Sequence, residues 1–183
     1  RAFKDKGNKL FTNAFIVSGY SFIEGKDKIE KTCAILAEVR GHVKTIAADI
    51  LKHKESEYTF KTIKSLRGIG DFLAYQIAVD IGYWNKEVFD EDKFVIAGPG
   101  CKAGINRLFS DKGNKSYENC IQHLCSIQNE GFKGINIDMN KLFSDRKEKR
   151  LNLMAMENCL CEISKYLKAL NNEGRPRNKY HKV

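Results

Sequence analysis

The sequence predicts an all-α domain. Three observations carry this. Apolar residues recur at three-to-four spacing along most of the chain, extended stretches are few, and only Pro99 and Pro176 stand where a proline could interrupt a helix. At 183 residues the chain is long enough for one domain with a substantial core. The pattern divides it into a single helical domain over 1–170 and a basic C-terminal arm over 171–183.

Each element has its own spacing. From Ile29 to Leu51, the residues Ile29, Cys33, Leu36, Val39, Val43, Ile46 and Ile50 form one amphipathic face, which Gly41 could split into two helices. Phe60, Ile63 and Leu66 mark a short helix over Phe60–Leu66. Leu66-Arg67-Gly68-Ile69-Gly70 then turns the chain, because two glycines permit φ > 0 where a side chain would clash. The second arm of this hairpin runs over about Asp71–Tyr83. Phe94-Val95-Ile96 is a short extended stretch. Gly98-Pro99-Gly100 leads into a helix at Lys102–Phe109, and Ser116–Asn129 and Leu151–Leu170 complete the set. Asn129–Asn136 punctuates the chain, and Asp145–Arg150 reads as a solvated helix face. Beyond Asn171 no apolar periodicity survives, and Arg175, Arg177, Lys179, His181 and Lys182 make the arm basic.

Lys and Arg exceed Asp and Glu by 32 to 23, a formal net charge of +9 that favours an anionic partner, nucleic acid first. The plain alternative is a lysine-rich surface from a biased genome. None of the six cysteines forms a C-x-x-C pair, and no His sits at zinc-finger distance from a pair, so no metal and no cofactor are expected. Half-buried reduced thiols point to an intracellular protein, cytoplasmic in a bacterial or phage context and nuclear in a eukaryote. No secretory h-region or long apolar run is present, so no membrane partner is expected. The chain opens on Arg1 and not Met, which leaves room for a protein partner or a further N-terminal domain.

The hairpin and the glycine-rich loop carry the chemistry. A helix start leaves N–H groups unpaired at the positive end of the macrodipole, where a phosphate is stabilised. Arg67, Gly68 and Gly70 at one helix start, and Gly98 and Gly100 with Lys102 at another, read as contacts to a DNA backbone or a phosphorylated base. An ordinary helix–helix turn, and a helix start with Pro near its first position, are the bland readings. Tyr75 could stack on a base and Gln76 could read its edge; both could equally be core residues. Asp80 on a largely apolar face is either a general base or half of a buried ion pair with Arg107. Glu157 and Glu162 are five apart and share no face, and Glu162 with Lys165 reads as the inward carboxylate. Asn13 caps the first helix or reaches the pocket, and Arg175 and Arg177 suit bidentate phosphate contacts.

Four segments in order resemble a known family: Leu10–Phe15; Gly68–Gln76; Ala97–Leu108; and Glu157–Glu162 with Lys165-Tyr166 and Gly174–Arg177. Together they resemble the helical domain of the 5-hydroxymethyldeoxyuridine DNA kinases and the related alpha-glutamyl/putrescinyl thymine pyrophosphorylases. The resemblance implies a helix-hairpin-helix fold like that of DNA glycosylases. It also implies phage DNA hypermodification, with double-stranded DNA and a flipped base as partner. The chemistry implied is group transfer or displacement at the thymine 5-methylene, with Asp80 or Glu162 as acid–base carboxylate. Two departures matter. No G-x-x-x-x-G-K-[ST] loop occurs, so the chain lacks that means of holding a nucleoside triphosphate. Phe72 and Gly98 stand where base-excising relatives place a catalytic Lys and Asp. A base-excising glycosylase and a non-catalytic DNA-binding module in a larger assembly are therefore the alternatives.

Overall fold

The computed structural model describes residues 2–11, 20–145 and 147–173. Among these are eight helices and no strand: α1 (Ala2–Asp5), α2 (Lys28–His53), α3 (Ser56–Lys64), α4 (Asp71–Trp84), α5 (Pro99–Leu108), α6 (Tyr117–Gly134), α7 (Met139–Leu142) and α8 (Leu153–Leu170). The all-helical class agrees with the periodicity. Asn13 and the basic residues 174–183 lie outside the described residues.

Local chemistry sets the helix ends. Asp27 caps α2 by accepting from the N–H groups of Ile29 and Glu30, both at 3.0 Å. The helix runs unbroken through Gly41 to Lys54, whose left-handed backbone (φ 52°) ends it. A mid-helix glycine costs about 1 kcal/mol, too little to split a helix capped at both ends. Ser116 and Asn152 cap α6 and α8 in the same way. Phe94-Val95-Ile96 lies outside any helix and joins no sheet. One expectation fails: the described residues of 145–150 form a turn and bends outside any helix. In that bend Arg150 reaches across to Asp92 with two bonds of 2.9 and 2.8 Å, and this pairing holds the segment.

Most of the buried apolar residues form one core. Phe60 and Ile63 of α3, Tyr75 and Ala78 of α4, Cys101 and Ile105 of α5, Ile121 of α6, and Met156 and Leu160 of α8 all belong to it. The connection between α4 and α5 folds inward, burying Val88 and Phe89. Its polar backbone is paired by side chains of α3: Thr59 donates to the Val88 carbonyl at 2.7 Å, and the Asp90 N–H donates to the Ser56 hydroxyl at 2.8 Å. The tightest helix contact is α5 on α8. Gly100 and Gly104, one turn apart, let α5 approach so closely that a Cβ at Gly104 would overlap the Leu160 carbonyl, and one at Gly100 would overlap the Cys161 sulfur.

Candidate nucleic-acid interface

The turn between α3 and α4 builds the hairpin. Across 65–70, Leu66 N–H donates to the Ile63 carbonyl and Ile69 N–H to the Leu66 carbonyl, both at 3.1 Å. Gly68 has φ +82°, and a Cβ there would lie 2.9 Å from Ile35 Cδ1 of α2. Its lack of a side chain thus serves both the backbone conformation and the seating of the turn on α2. Gly68 is a structural glycine, and its backbone freedom sets the direction in which α4 starts.

Gly70 differs. It is the N-cap of α4, makes no side-chain cap, has an ordinary φ of −85°, and has nothing within 4 Å of where a Cβ would stand. The residues after it, Asp71, Phe72 and Leu73, are exposed. The first turn of α4 therefore presents N–H groups at an open helix start. Asp71 would oppose an anion there, but Lys64 pairs with it at 2.5 Å. Arg67 lies beside the turn, its guanidinium 5.3 Å from the Phe22 ring and donating to the Phe22 carbonyl at 3.2 Å. A guanidinium carries several N–H donors, so others remain for an anion.

At α5 the expectation is corrected. Gly98 is buried and its N–H donates to Glu157 Oε1 at 3.0 Å, while the Ala97 N–H donates to Glu118 Oε1 at 3.0 Å. The positive end of α5 thus already holds an internal carboxylate, and Gly98 is not open to a DNA phosphate. Gly100 serves the contact with Cys161. Phe72 of α4 packs its ring over Gly98, 3.3 Å from where a Cβ would stand, so the two helix starts are neighbours. Lys102 is exposed and lies 5.5 Å from the Tyr117 ring, which Lys112 also faces at 5.0 Å. Two cations thus stand against one aromatic ring.

The inward carboxylate is Glu157, not Glu162. Glu157 is 4 % exposed, in phase with buried Leu153, Leu160 and Ser164, whereas the Glu162 side chain is 68 % exposed and pairs with Lys165 at 2.5 Å. Desolvation pushes the Glu157 carboxyl above its ordinary range, against the opposing bond from Gly98 N–H and the charge of Lys165. Asp80 is exposed, and Arg107 pairs instead with Glu173, which its guanidinium holds at about 2. The buried Asp80–Arg107 pair therefore does not form. Tyr75 is a core residue, 1 % exposed, with its ring 6.0 Å from Phe89, and its hydroxyl has no hydrogen-bond partner among the described residues. Gln76 is half-buried on the same helix. Tyr75, Asp80 and Glu162 thus share no base-sized cavity. Burial pushes the Cys101 thiol up to about 12 and Cys125 to about 11, which makes both poor nucleophiles. Among the described residues no group of three or more His, Cys, Asp or Glu could hold a metal, and no helix is long and apolar enough to cross a membrane.

The raised carboxyl gives a pH prediction. A group whose folded pKa lies above its unfolded value binds more protons when folded, so its stability contribution is present at low pH and lost as pH rises through the folded pKa. Glu157→Gln keeps an acceptor for the Gly98 N–H and removes the titration. The expected result is a shallower decline of the urea midpoint than in the unsubstituted chain as pH rises above the ordinary carboxylate range. Parallel curves would place the pH dependence elsewhere.

The architecture is thus an all-helical domain with a glycine-built hairpin and an open helix start. The chain belongs to the family described as 5-hmdU DNA kinase, helical domain, whose model matches residues 1–175. It is 27% identical over 182 residues to the 5-hmdU DNA kinase of Bacillus phage SP10, an alignment covering 91% of this chain and 28% of that protein. The chain therefore spans less than a third of that relative's length. No solved structure matches it.

Proposed function

We propose that this chain is a DNA-holding helical domain of an enzyme system that modifies hydroxymethylated uracil in DNA, with the turn 65–70 and the start of α4 as its backbone clamp. The observation that carries this reading is Gly70: an uncapped, exposed helix start with open space before it, in a chain of net charge +9. Arg67 and Gly68 build the turn, and Lys102 with Lys112 supplies a second positive point. Arg175 and Arg177 belong to the same proposal as further DNA contacts, and Asn13 as a contact to the substrate base. Phe72, 55 % exposed beside the clamp, offers a ring on which an unpaired base can stack.

Catalysis is assigned to a different part of a longer protein. The kinase of phage SP10 is more than three times the length matched here, and this chain has no nucleotide-binding loop of the usual form. Asp80 is exposed, and Glu162 is exposed and paired with Lys165, so neither stands in an enclosed pocket. The turn between α3 and α4 supports a backbone clamp, and a helix-hairpin-helix fold like that of DNA glycosylases is part of the same proposal.

Fluorescence anisotropy with labelled duplexes of unrelated sequence tests this. Three phosphate contacts give a slope of log affinity on log salt of about −2.7, roughly a forty-fold loss between about 50 and about 200 mM salt. The slope should be the same for each duplex, since phosphate contacts carry no base information. Binding that ignores salt, or no binding at low salt, would contradict the proposal.

A further inference from the structure

A second site lies away from the hairpin, where α6 ends. A surface cavity of about 540 Å³ opens between the last turns of α6, the 135–140 segment and Lys149. The end of α6 shapes it. Asn136 takes a left-handed backbone (φ 57°), its N–H donating to the Lys133 carbonyl at 3.1 Å and the Ile137 N–H to the Phe132 carbonyl at 2.9 Å. This pair of bonds closes the helix and sets Asn136 on the wall of the cavity. Asn129 and Lys133, one helical turn apart, line the same wall. Lys149 is fixed opposite, its ammonium donating to the carbonyls of Phe143 at 2.6 Å and Ser144 at 3.0 Å. An ammonium has three donors, so one remains for a ligand.

We infer that this cavity binds a nucleotide, its phosphate on Lys133 and Lys149 and its base edge on the amides of Asn129 and Asn136. The size lies within the range of small-ligand sites. Two cations converge on it against one carboxylate, Asp138, which is already engaged by the Asn140 N–H at 2.9 Å. Carboxamides present a donor and an acceptor in one plane, which matches a base edge. Ile137 and Met139 supply apolar surface for a flat ring. A sugar phosphate alone would use the cations and leave the amides and apolar wall unfilled. The site does not depend on the hairpin clamp.

The nucleotide is either free or part of a DNA strand, and two probes separate these. Deoxyuridine monophosphate and a short uracil-containing single strand are titrated into the 183-residue chain, with amide NMR shifts as readout. At least one probe should shift Asn129, Lys133 and Asn136. Free nucleotide binding assigns the site to a soluble ligand, and binding of the strand alone assigns it to DNA. In both cases Lys133→Ala and Asn136→Gly should weaken binding at least tenfold. Asn136→Gly keeps the left-handed turn and so removes the amide without disturbing the fold; an unchanged thermal midpoint confirms this. Gly70→Asp should leave the shifts that deoxyuridine monophosphate causes at Asn129, Lys133 and Asn136 unchanged, which separates the cavity from the clamp. No shift with either probe at millimolar concentration, equal binding by both variants, or inorganic phosphate binding as tightly as the nucleotide would overturn the inference.

Discussion

Gly104→Val is expected to destabilise the domain by about 3 kcal/mol or more, the upper end of what overpacking costs in a well-packed core. The reason is the partner atom. A Cβ at Gly104 meets the backbone carbonyl of Leu160, which cannot move aside as a flexible side chain would. Gly104 is buried, and its neighbour Ile105 and its partner Leu160 are 0 % and 1 % exposed. Valine adds two further methyl groups to the same collision. Relief requires α5 to lift from α8, which exposes Cys101 and Ile105 and breaks the Glu157–Gly98 bond. Since a whole domain is stable by only about 5–15 kcal/mol, this is a large share. For a chain of this size the thermal midpoint should fall roughly 10 °C. Gly131→Ala is the control: nothing stands within 4 Å of its Cβ position on α6, so the change should raise stability by about 0.5–1 kcal/mol. Equal midpoints for Gly104→Val and the unsubstituted chain would refute the close α5–α8 packing.

The helices were legible because their apolar spacing is regular and because little in the chain interrupts it. Their ends were less so. The first hairpin arm starts at Ser56, four residues before Phe60, because Ser56 and Thr59 are buried by bonds to a distant loop that local spacing does not reveal. The α6 helix reaches Gly134, past Asn129, because its end is set by the left-handed Asn136. Glu157 was legible in principle: it keeps phase with Leu153 and Leu160, and phase is a better guide to burial than the residue's polarity. Its buried partner, the Gly98 N–H, is 59 residues away and leaves no local trace. The same holds for Arg107, whose partner Glu173 lies beyond the end of α8. The glycines show the limit most clearly. Gly68, Gly70, Gly98, Gly100 and Gly104 look alike in the sequence, yet one makes a left-handed turn, one opens a helix start, and three admit a neighbouring helix or side chain. Only the surroundings tell them apart. The cavity at the end of α6 had no signal at all, since it is assembled from ordinary asparagines and lysines.

The central claim is that the start of α4 holds a DNA phosphate, and Gly70→Asp tests it most directly. The backbone at Gly70 is extended (φ −85°, ψ 174°), an N-cap geometry that any residue adopts, and there is open space for a side chain. Aspartate is a preferred N-cap and would accept from the N–H groups of the first turn, adding a few tenths of a kcal/mol to stability. The same carboxylate would occupy the anion position and repel a phosphate. Hydrogen bonds to a charged group contribute about 1.5–3 kcal/mol, so duplex affinity should fall on the order of ten- to hundred-fold at low salt, alike for all sequences. Gly70→Ala leaves the N–H groups free and should bind as the unsubstituted chain does. The account predicts a Gly70→Asp variant that is at least as stable as the parent and has lost most of its DNA affinity. A stable Gly70→Asp variant that binds duplex DNA as tightly as the parent would contradict it.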